Sequence, residues 1–215
     1  MKMTRRAFGG LVAGTAAATA GCMEAATGDG PLTFEATEIR ASETAVEDTG
    51  YDHRTTETVP FTKEFEVGGV SREVRADTVV SKYDKAIDMG PLGSQRSALF
   101  VVASTPKAEV GGRTFNPIED MDNRELAEEF QSRYGEVTIR DEISTEVISV
   151  LDEDVDLSTF EAETELEGQP IDVRLHLGVA ETDDDLVVLL GGHPRRITDE
   201  EANIVTLAES VEPID

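Results

Sequence analysis

Tryptophan is absent from this chain of 215 residues, cysteine occurs once and histidine three times. Cationic side chains are also scarce, since 19 lysines and arginines stand against 45 aspartates and glutamates. Because no basic stripe is available to neutralise phosphates, the sequence argues against nucleic acid as a partner. One cysteine and three histidines also leave few groups for nucleophilic or acid–base catalysis.

A hydrophobic run long enough to span a membrane is lacking as well. A transmembrane helix needs about 20 predominantly apolar residues, whereas the run at 11–18 is short and built of Leu, Val, Ala, Gly and Thr. It follows a basic cluster with Arg5 and Arg6 and precedes small residues that end at Cys22. This layout is typical of an export signal. We therefore predict a signal peptide over 1–21, and a retained membrane helix is the weaker alternative.

Two motifs in this segment predict the export route and the anchor. Residues 4–8, Thr-Arg-Arg-Ala-Phe, resemble the twin-arginine (Tat) signal, so we predict Tat export. Residues 19–22, Thr-Ala-Gly-Cys, resemble a lipobox, which predicts cleavage after Gly21 and a lipid on the thiol of Cys22. A lone buried thiol is the alternative, but such a cysteine seldom follows Ala-Gly at the end of an apolar run.

The negative charge predicts a high-salt habitat. The formal net charge is −26, and removal of residues 1–21 takes away Lys2, Arg5 and Arg6 but no acid, which leaves −29. Such charge destabilises a fold by self-repulsion in dilute buffer, whereas molar salt shortens the Debye length to about 3 Å. The acidic, lysine-poor composition is therefore typical of a halophilic archaeal protein. An acidic disordered chain is the alternative, and the regular strand and helix patterns argue against it.

Beyond the signal, the sequence indicates one domain on a short tether. Residues 22–31 would form the lipidated cysteine and the tether, which spans at most about 30 Å. Residues 32–215 contain no second linker, repeat or low-complexity stretch, and a chain of this size can bury a real core. Acidic lipid headgroups would repel the domain, so attachment to the membrane depends on the lipid alone.

Apolar patterns predict strands joined in hairpins. Strand-like runs at 53–67 and 70–84 are separated by the glycine pair at 68–69, which predicts a tight hairpin turn. A second glycine pair at 111–112 predicts another turn, and the apolar run at 98–103 predicts a buried central strand. Residues 171–179 alternate apolar with polar or small residues, which is typical of a half-buried strand. Further strands are expected at 137–140, 144–151, 157–166 and 186–190.

Three helices are expected, at 42–49, 122–134 and about 199–211. Their predicted capping residues are Ser42, Asp122 with Glu125, and Thr198 with Glu201. In the second helix, Phe130 lies in the middle of an apolar stripe, so its ring should pack against the sheet. Strands in hairpins with a few segregated helices predict an α+β domain, a mostly antiparallel β-sheet with helices packed on its faces.

Several stretches resemble a haloarchaeal surface lipoprotein family of unknown function. They are Leu32-Thr33-Phe34-Glu35-Ala36, Met89-Gly90-Pro91-Leu92-Gly93, Thr114-Phe115-Asn116-Pro117 and Asn123-Arg124-Glu125-Leu126-Ala127-Glu128. The late portion, a capped helix after the strand at 186–190, is similar to PsbP-like domains. These resemblances imply the same antiparallel sheet with helices over essentially all of the mature chain. They carry over no catalytic residue, because the family has no assigned activity.

The three histidines form no known catalytic motif. None lies in a Gly-x-Ser-x-Gly elbow or a His-Glu-x-x-His helix. His176 falls on the polar side of its strand beside Arg174, which favours a solvated surface histidine. His193 precedes Pro194 at the end of a strand, which favours a role in a turn. We accordingly expect His176→Ala to leave the surface abundance of the protein unchanged.

Two charged clusters are candidate ligand sites. The acidic positions of a calcium-binding loop are matched by Asp152, Asp154, Asp156 and Glu163. However, Leu157 stands where the sharp turn needs glycine, so a solvated acidic turn between strands is the stronger interpretation. Arg195-Arg196 is the only adjacent basic pair after residue 21, and a solvated pair in a loop is again the stronger interpretation. The sequence thus assigns no catalytic residue, metal or cofactor.

Together these patterns predict a lipid-anchored domain at the extracellular face of the cell membrane of a halophilic archaeon. An anchor, a compact domain and no catalytic constellation favour a non-enzymatic binding or assembly accessory, either for an envelope protein complex or for a small ligand. A surface hydrolase or a chaperone-like factor is the alternative. Polar residues clustered in a pocket would favour the enzyme, and a broad exposed apolar patch would favour a protein partner.

Overall fold

Strands dominate the structure, a computed structural model that describes residues 31–67, 70–90, 93–108, 116–134, 137–166 and 168–214. Of the described residues, 64% lie in strands and 18% in helices. The chain from Pro31 onward forms one compact unit. Within the described ranges, no helix combines the length and the apolar character that a membrane span requires.

The described residues form ten strands and three helices. In chain order they are β1 (Leu32–Glu35), β2 (Ile39–Ala41), α1 (Glu43–Thr49), β3 (Asp52–Val67), β4 (Val70–Asp88), β5 (Ser94–Pro106), α2 (Asn123–Tyr134), β6 (Val137–Val150), β7 (Glu153–Leu166), β8 (Gln169–Glu181), β9 (Asp185–Pro194), α3 (Asp199–Glu209) and β10 (Val211–Pro213).

Eight of these strands form one mixed sheet, and β2 pairs with β10 in a separate antiparallel ladder. The large sheet runs in the order β3, β4, β5, β9, β8, β7, β6, and each neighbouring pair in this series is antiparallel. The exception is β1, which runs parallel to β4 along Val74–Asp77. This segment of β4 precedes the segment that pairs with β5.

The predicted α+β architecture, a mostly antiparallel sheet with helices packed on its faces, is wrong. The domain is mostly β, its large sheet is mixed, and its three helices are short. The strands of the β3–β4 hairpin were expected at 53–67 and 70–84, but other strands are longer than predicted: β5 covers 13 residues around the apolar run at 98–103, and β9 covers 10 residues around the run at 186–190. A strand ladder is held by backbone hydrogen bonds, so strands continue beyond the apolar runs that locate them in the sequence.

Two hydrophobic clusters cover opposite faces of the central strands. The first cluster includes Phe100, Leu157, Val187, Leu189, Ile204 and Leu207. The second includes Leu126, Ala127, Phe160, Leu175, Leu177 and Leu190. Successive residues of a strand point to opposite faces, and in β9 Leu189 belongs to the first cluster while Leu190 belongs to the second. The central strands are therefore buried on both faces.

Predictions at the first two helix starts are confirmed. Ser42 caps α1 by accepting a hydrogen bond from the amide of Ala45, and Gly50 ends the helix at a φ of 72°. Asp122 and Glu125 form a reciprocal capping box, in which each side chain accepts from the backbone amide of the other, at 2.8 and 3.2 Å. These contacts depend on residues three apart in sequence, so they are readable without the tertiary structure.

Other local predictions have mixed outcomes. Phe130 packs against the second cluster, as expected. Thr198 makes no side-chain capping hydrogen bond to α3. Residues 137–150 form one strand with register shifts near Glu142, and not two separate strands. The predicted turns at 68–69 and 111–112 lie outside the described residues, although β3 and β4 pair as a hairpin on either side of the first.

Candidate functional site

The residues predicted for export and lipidation, Arg5, Arg6 and Cys22, lie outside the described part of the chain, so their roles stay predictions.

The four candidate calcium ligands are spread along one strand. Asp152 lies in the turn before β7, and Asp154 and Asp156 follow within the strand. Glu163 lies seven residues beyond Asp156, about 23 Å away at the rise of an extended strand, and pairs with Arg140 at 2.8 Å. In the described ranges, no group of three or more His, Cys, Asp or Glu side chains could hold a metal ion.

The prediction that His176 is solvated is wrong. For His193 a role in a turn was predicted, but its burial was not. Both side chains are 0% exposed. In β8, Leu175 and Leu177 face the second cluster, whereas His176 shares the opposite face with Ala180, a member of the first cluster. Alternation identified the two faces correctly but did not reveal that the polar one is also covered.

The register of three strands brings the two histidines together. Thr159 of β7 lies opposite His176 of β8, which in turn lies opposite Gly191 of β9. His193 follows Gly191 by two residues, so it is the diagonal neighbour of His176 on the same face. Gly191 also admits α3, because a Cβ atom at this position would lie 2.5 Å from Cγ2 of Ile204.

These side chains form a directed hydrogen-bond chain. Thr159 Oγ1 lies 3.0 Å from His176 Nδ1, the two Nε2 atoms lie 3.0 Å apart, and His193 Nδ1 lies 3.1 Å from the carbonyl oxygen of Pro194. A carbonyl only accepts, so His193 donates from Nδ1 and accepts at Nε2. His176 therefore donates from Nε2 and accepts the hydroxyl proton of Thr159 at Nδ1. The ring planes differ by only 9°, which suits this edge-to-edge contact.

Burial keeps both rings neutral. It lowers the pKa of His176 to about 3, helped by His193 and by the positive charge of Arg174. Burial also lowers the pKa of His193, although the Pro194 carbonyl and the carboxylate of Glu200 oppose this shift. Only the simultaneous protonation of both rings would place two N–H groups against each other, because the hydroxyl of Thr159 can also accept a hydrogen bond. Burial is therefore the main reason why both imidazoles are neutral.

A group of charged residues at the start of α3 adjoins the histidines. Glu200 is 3% exposed, and its Oε1 lies 2.6 Å from Nζ of Lys85 in β4. Burial, together with the charge of Glu200, raises the pKa of the Tyr51 hydroxyl far above its ordinary value. Arg174 of β8 donates to Glu201 at 2.8 Å. These ion pairs tie α3 to two strands of the sheet.

An open pocket of about 240 Å³ lies where β8 begins and β9 ends. It is lined by Met89, Ile171, Asp172, Pro194, Arg195 and Arg196. Arg195 is neutralised by Asp172 at 2.6 Å and by Glu161 at 3.4 Å. Pro194 connects this pocket to the two buried histidines, because its carbonyl oxygen accepts a hydrogen bond from His193.

The three side chains follow each other in the order of a catalytic triad, but they are too buried for a substrate to reach them. Thr159, His176 and His193 stand as hydroxyl, base and orienting group, yet Thr159 is 2% exposed and both rings are fully buried. Neither Thr159 nor Glu200 was predicted from the sequence. The sequence did contain a signal that this face of the sheet is covered. Gly178 lies in β8 and Gly191 in β9, and a glycine inside a strand marks the close approach of another element.

The fold and the site together define a mostly β domain in which the hydrogen-bonded side chains of Thr159, His176 and His193 are buried next to an open pocket. The chain belongs to the family with the description Domain of unknown function (DUF6517), whose model matches residues 38–212. This agrees with the predicted membership of a family of unknown function, while the haloarchaeal lipoprotein and PsbP-like resemblances stay hypotheses.

Two further comparisons carry no functional argument. The comparison with curated proteins gave no match. A solved structure, the protein of unknown function PA94 from Pseudomonas aeruginosa, named as a candidate regulator, is 13% identical with a TM-score of 0.37. The similarity covers 72% of this chain and 98% of that one, and it is too distant to support a conclusion.

Proposed function

We propose that the protein is an exported, lipid-anchored binding or assembly accessory at the extracellular face of a halophilic archaeal membrane, and not an enzyme. The N-terminal segment supports the anchor, because the adjacent Arg5 and Arg6 precede a short apolar run that ends in Ala-Gly before Cys22. The tether that follows would hold the domain within about 30 Å of the bilayer.

The charge distribution supports a high-salt habitat. Many of the described cations lie in ion pairs, for example Arg75 with Asp77, Lys107 with Glu181, and Arg140 with Glu163. With 45 acidic residues against 19 basic ones, such pairs leave most carboxylates without a cation. Dissolved salt is then the remaining source of screening.

The burial of the Thr159–His176–His193 chain is the observation that favours binding over catalysis. It is the described arrangement most similar to a nucleophile with its base, and a reacting carbonyl would have to approach Thr159 Oγ1 to about 3–3.5 Å. A hydroxyl that is 2% exposed offers no such approach. The accessible polar side chains at this end of the sheet instead line an open pocket, which suits a ligand.

A surface hydrolase is the second candidate, because the hydrogen bond from Thr159 to His176 is the contact that activates a hydroxyl nucleophile. The test is hydrolysis of a chromogenic ester by the wild-type protein and by folded His176→Gln. We expect no activity above background from either. Wild-type turnover that disappears in the folded variant would replace the binding proposal by the enzyme.

The anchor is tested by Cys22→Ser, with Ala26→Ser in the proposed tether as the matched control. We expect the Cys22 variant to leave the membrane fraction or to accumulate unprocessed, and the control to behave as wild type. A Cys22→Ser protein that stays membrane-bound with the processed mass contradicts lipidation. Arg5→Lys with Arg6→Lys should block export, and normal surface levels of that double variant would exclude the Tat route.

A protein partner is sought by crosslinking on intact cells. We expect specific envelope proteins to copurify with the anchored wild type and to be lost with the released Cys22→Ser form. Identical crosslinked partners from both forms would show that assembly does not need the anchor.

A further inference from the structure

Arg196 differs from its neighbour in having no acidic partner. Arg195 lies between Asp172 and Glu161, whereas Arg196 donates to the sulfur of Met89 at 3.2 Å. No carboxylate in the described part of the chain lies within ion-pair distance of Arg196. A thioether is a weak acceptor, and a guanidinium carries five N–H donors. In a chain with 45 acidic residues, this cation therefore keeps strong donors for a ligand.

A rigid turn holds Arg196 apart from those acids. The amide of Ile197 donates to the carbonyl of Pro194 at 2.9 Å, and the amide of Arg195 donates to the backbone oxygen of Asp172 at 3.0 Å. On the buried side of the turn, His193 Nδ1 donates to the same carbonyl oxygen of Pro194. The backbone of the turn is thus fixed by bonds to both β8 and the side chain of His193, and it places Arg196 in the lining of the pocket.

The pocket beside Arg196 has apolar walls. Met89, Ile171 and Pro194 contribute to its lining, and the carboxylate of Asp172, which also lines it, is engaged by Arg195. A volume of about 240 Å³ is many times the ~10–15 Å³ that a single water molecule needs by this measure. The open space therefore suits a small molecule with an apolar part.

The ligand class follows from this pairing of one cation with apolar walls. The planar fork of a guanidinium matches the two oxygens of a carboxylate or phosphate. In molar salt the Debye length is about 3 Å, so the acidic surface outside the pocket scarcely repels an anion that is in contact with Arg196. Burial of an apolar tail is not screened at all.

We infer that this pocket binds a small amphiphilic anion, whose carboxylate or phosphate head is held by Arg196 and whose short apolar tail packs against Met89, Ile171 and Pro194. The inference rests on the proposed function, since it names the ligand class of a binding module.

Octanoate is the probe, because it joins a carboxylate to a short alkyl chain. The full chain, prepared without its lipid, is titrated calorimetrically in molar potassium chloride. We expect saturable binding, weaker binding of octanol and of inorganic phosphate, and about 10-fold or greater loss in Arg196→Gln. Arg196→Lys should lie between, because an ammonium keeps the charge but not the fork.

The matched control is Arg124→Gln in α2, since Arg124 lies over the ring of Phe160 in the second cluster, on the other face of the sheet. It should bind octanoate as the wild type does, and circular dichroism should show that every variant is folded. The inference is overturned if the wild type does not bind octanoate, if folded Arg196→Gln binds it equally well, or if octanol or phosphate binds as tightly.

Vesicles of phosphatidylglycerol distinguish a lipid headgroup from a free small anion. Cosedimentation that depends on Arg196, without octanoate binding, would overturn the small-ligand assignment in favour of the membrane surface. Because the titration uses unlipidated protein, its failure leaves the Cys22 anchor untouched. Failure of the anchor test likewise leaves the pocket intact.

Discussion

Protonation of the buried histidine pair should destabilise the domain as pH falls below neutrality. In the unfolded chain His176 titrates near its ordinary pKa of 6.5, whereas in the folded domain burial lowers the pKa to about 3. The unfolded state therefore binds more protons than the folded state between these values. The stability contributed by the neutral ring is fully present above pH 6.5 and is lost progressively as pH falls toward 3.

The expected magnitude follows from linkage. Each pH unit within this window costs about 1.4 kcal/mol per histidine, so His176 alone removes about 1.4 kcal/mol between pH 7.5 and pH 5.5. The lowered pKa of His193 acts in the same direction. This loss is a substantial share of the ~5–15 kcal/mol that stabilises a typical domain. The window stays above the ordinary titration range of carboxyl groups, so the many acids contribute little to the slope.

Urea unfolding in molar potassium chloride, at intervals from pH 7.5 to 5.5, measures this slope. The double variant His176→Gln with His193→Gln removes both titrating rings and should show a nearly flat dependence, whatever its absolute stability. The matched control is Asn203→Gln in α3, which changes no titrating group and should keep the wild-type slope. A double variant with the wild-type slope would refute the argument, as would a wild type whose free energy of unfolding is constant across the window.

Three other predictions concern the charge, α2 and α3. The thermal midpoint should rise steadily from dilute to molar sodium or potassium chloride, because salt screens repulsion among carboxylates; a flat profile in calorimetry would contradict this role of the acidic residues. Phe130→Ala should lower the urea midpoint by more than Phe61→Ala, since Phe130 packs against the second cluster while Phe61 is 44% exposed. The Phe130 loss should remain below the about 3–5 kcal/mol of a fully buried phenylalanine, and equal losses would dispute the packing of α2. Gly191→Ala should cost about 1–3 kcal/mol in urea unfolding by overpacking against Ile204, and Ile204→Ala should add less loss in that background than in the wild type; additive losses would show that the two sites do not touch.

Interactions between residues close in sequence were predictable here. The caps at Ser42 and at Asp122 with Glu125 join groups three residues apart, and the strand at 171–179 was visible from its alternation. The two strands of the β3–β4 hairpin were predicted as well, but the ends of β5 and β9 were not, because these strands continue past the apolar runs at 98–103 and 186–190. The strand content was therefore underestimated. The parallel pairing of β1 with β4, which makes the sheet mixed, was not predicted, and the fold class was missed.

The candidate site depended on tertiary structure almost entirely. Thr159, His176 and His193 lie on three strands, and only the register of β7, β8 and β9 brings them within hydrogen-bond distance. The different partners of Arg195 and Arg196 likewise arise from the turn at the end of β9. By itself the sequence determined the charge balance, the caps of α1 and α2, and the alternation of β8. Whether the polar face of β8 met water or α3 was decided by packing, because periodicity separates two faces of a strand but cannot say what covers either one.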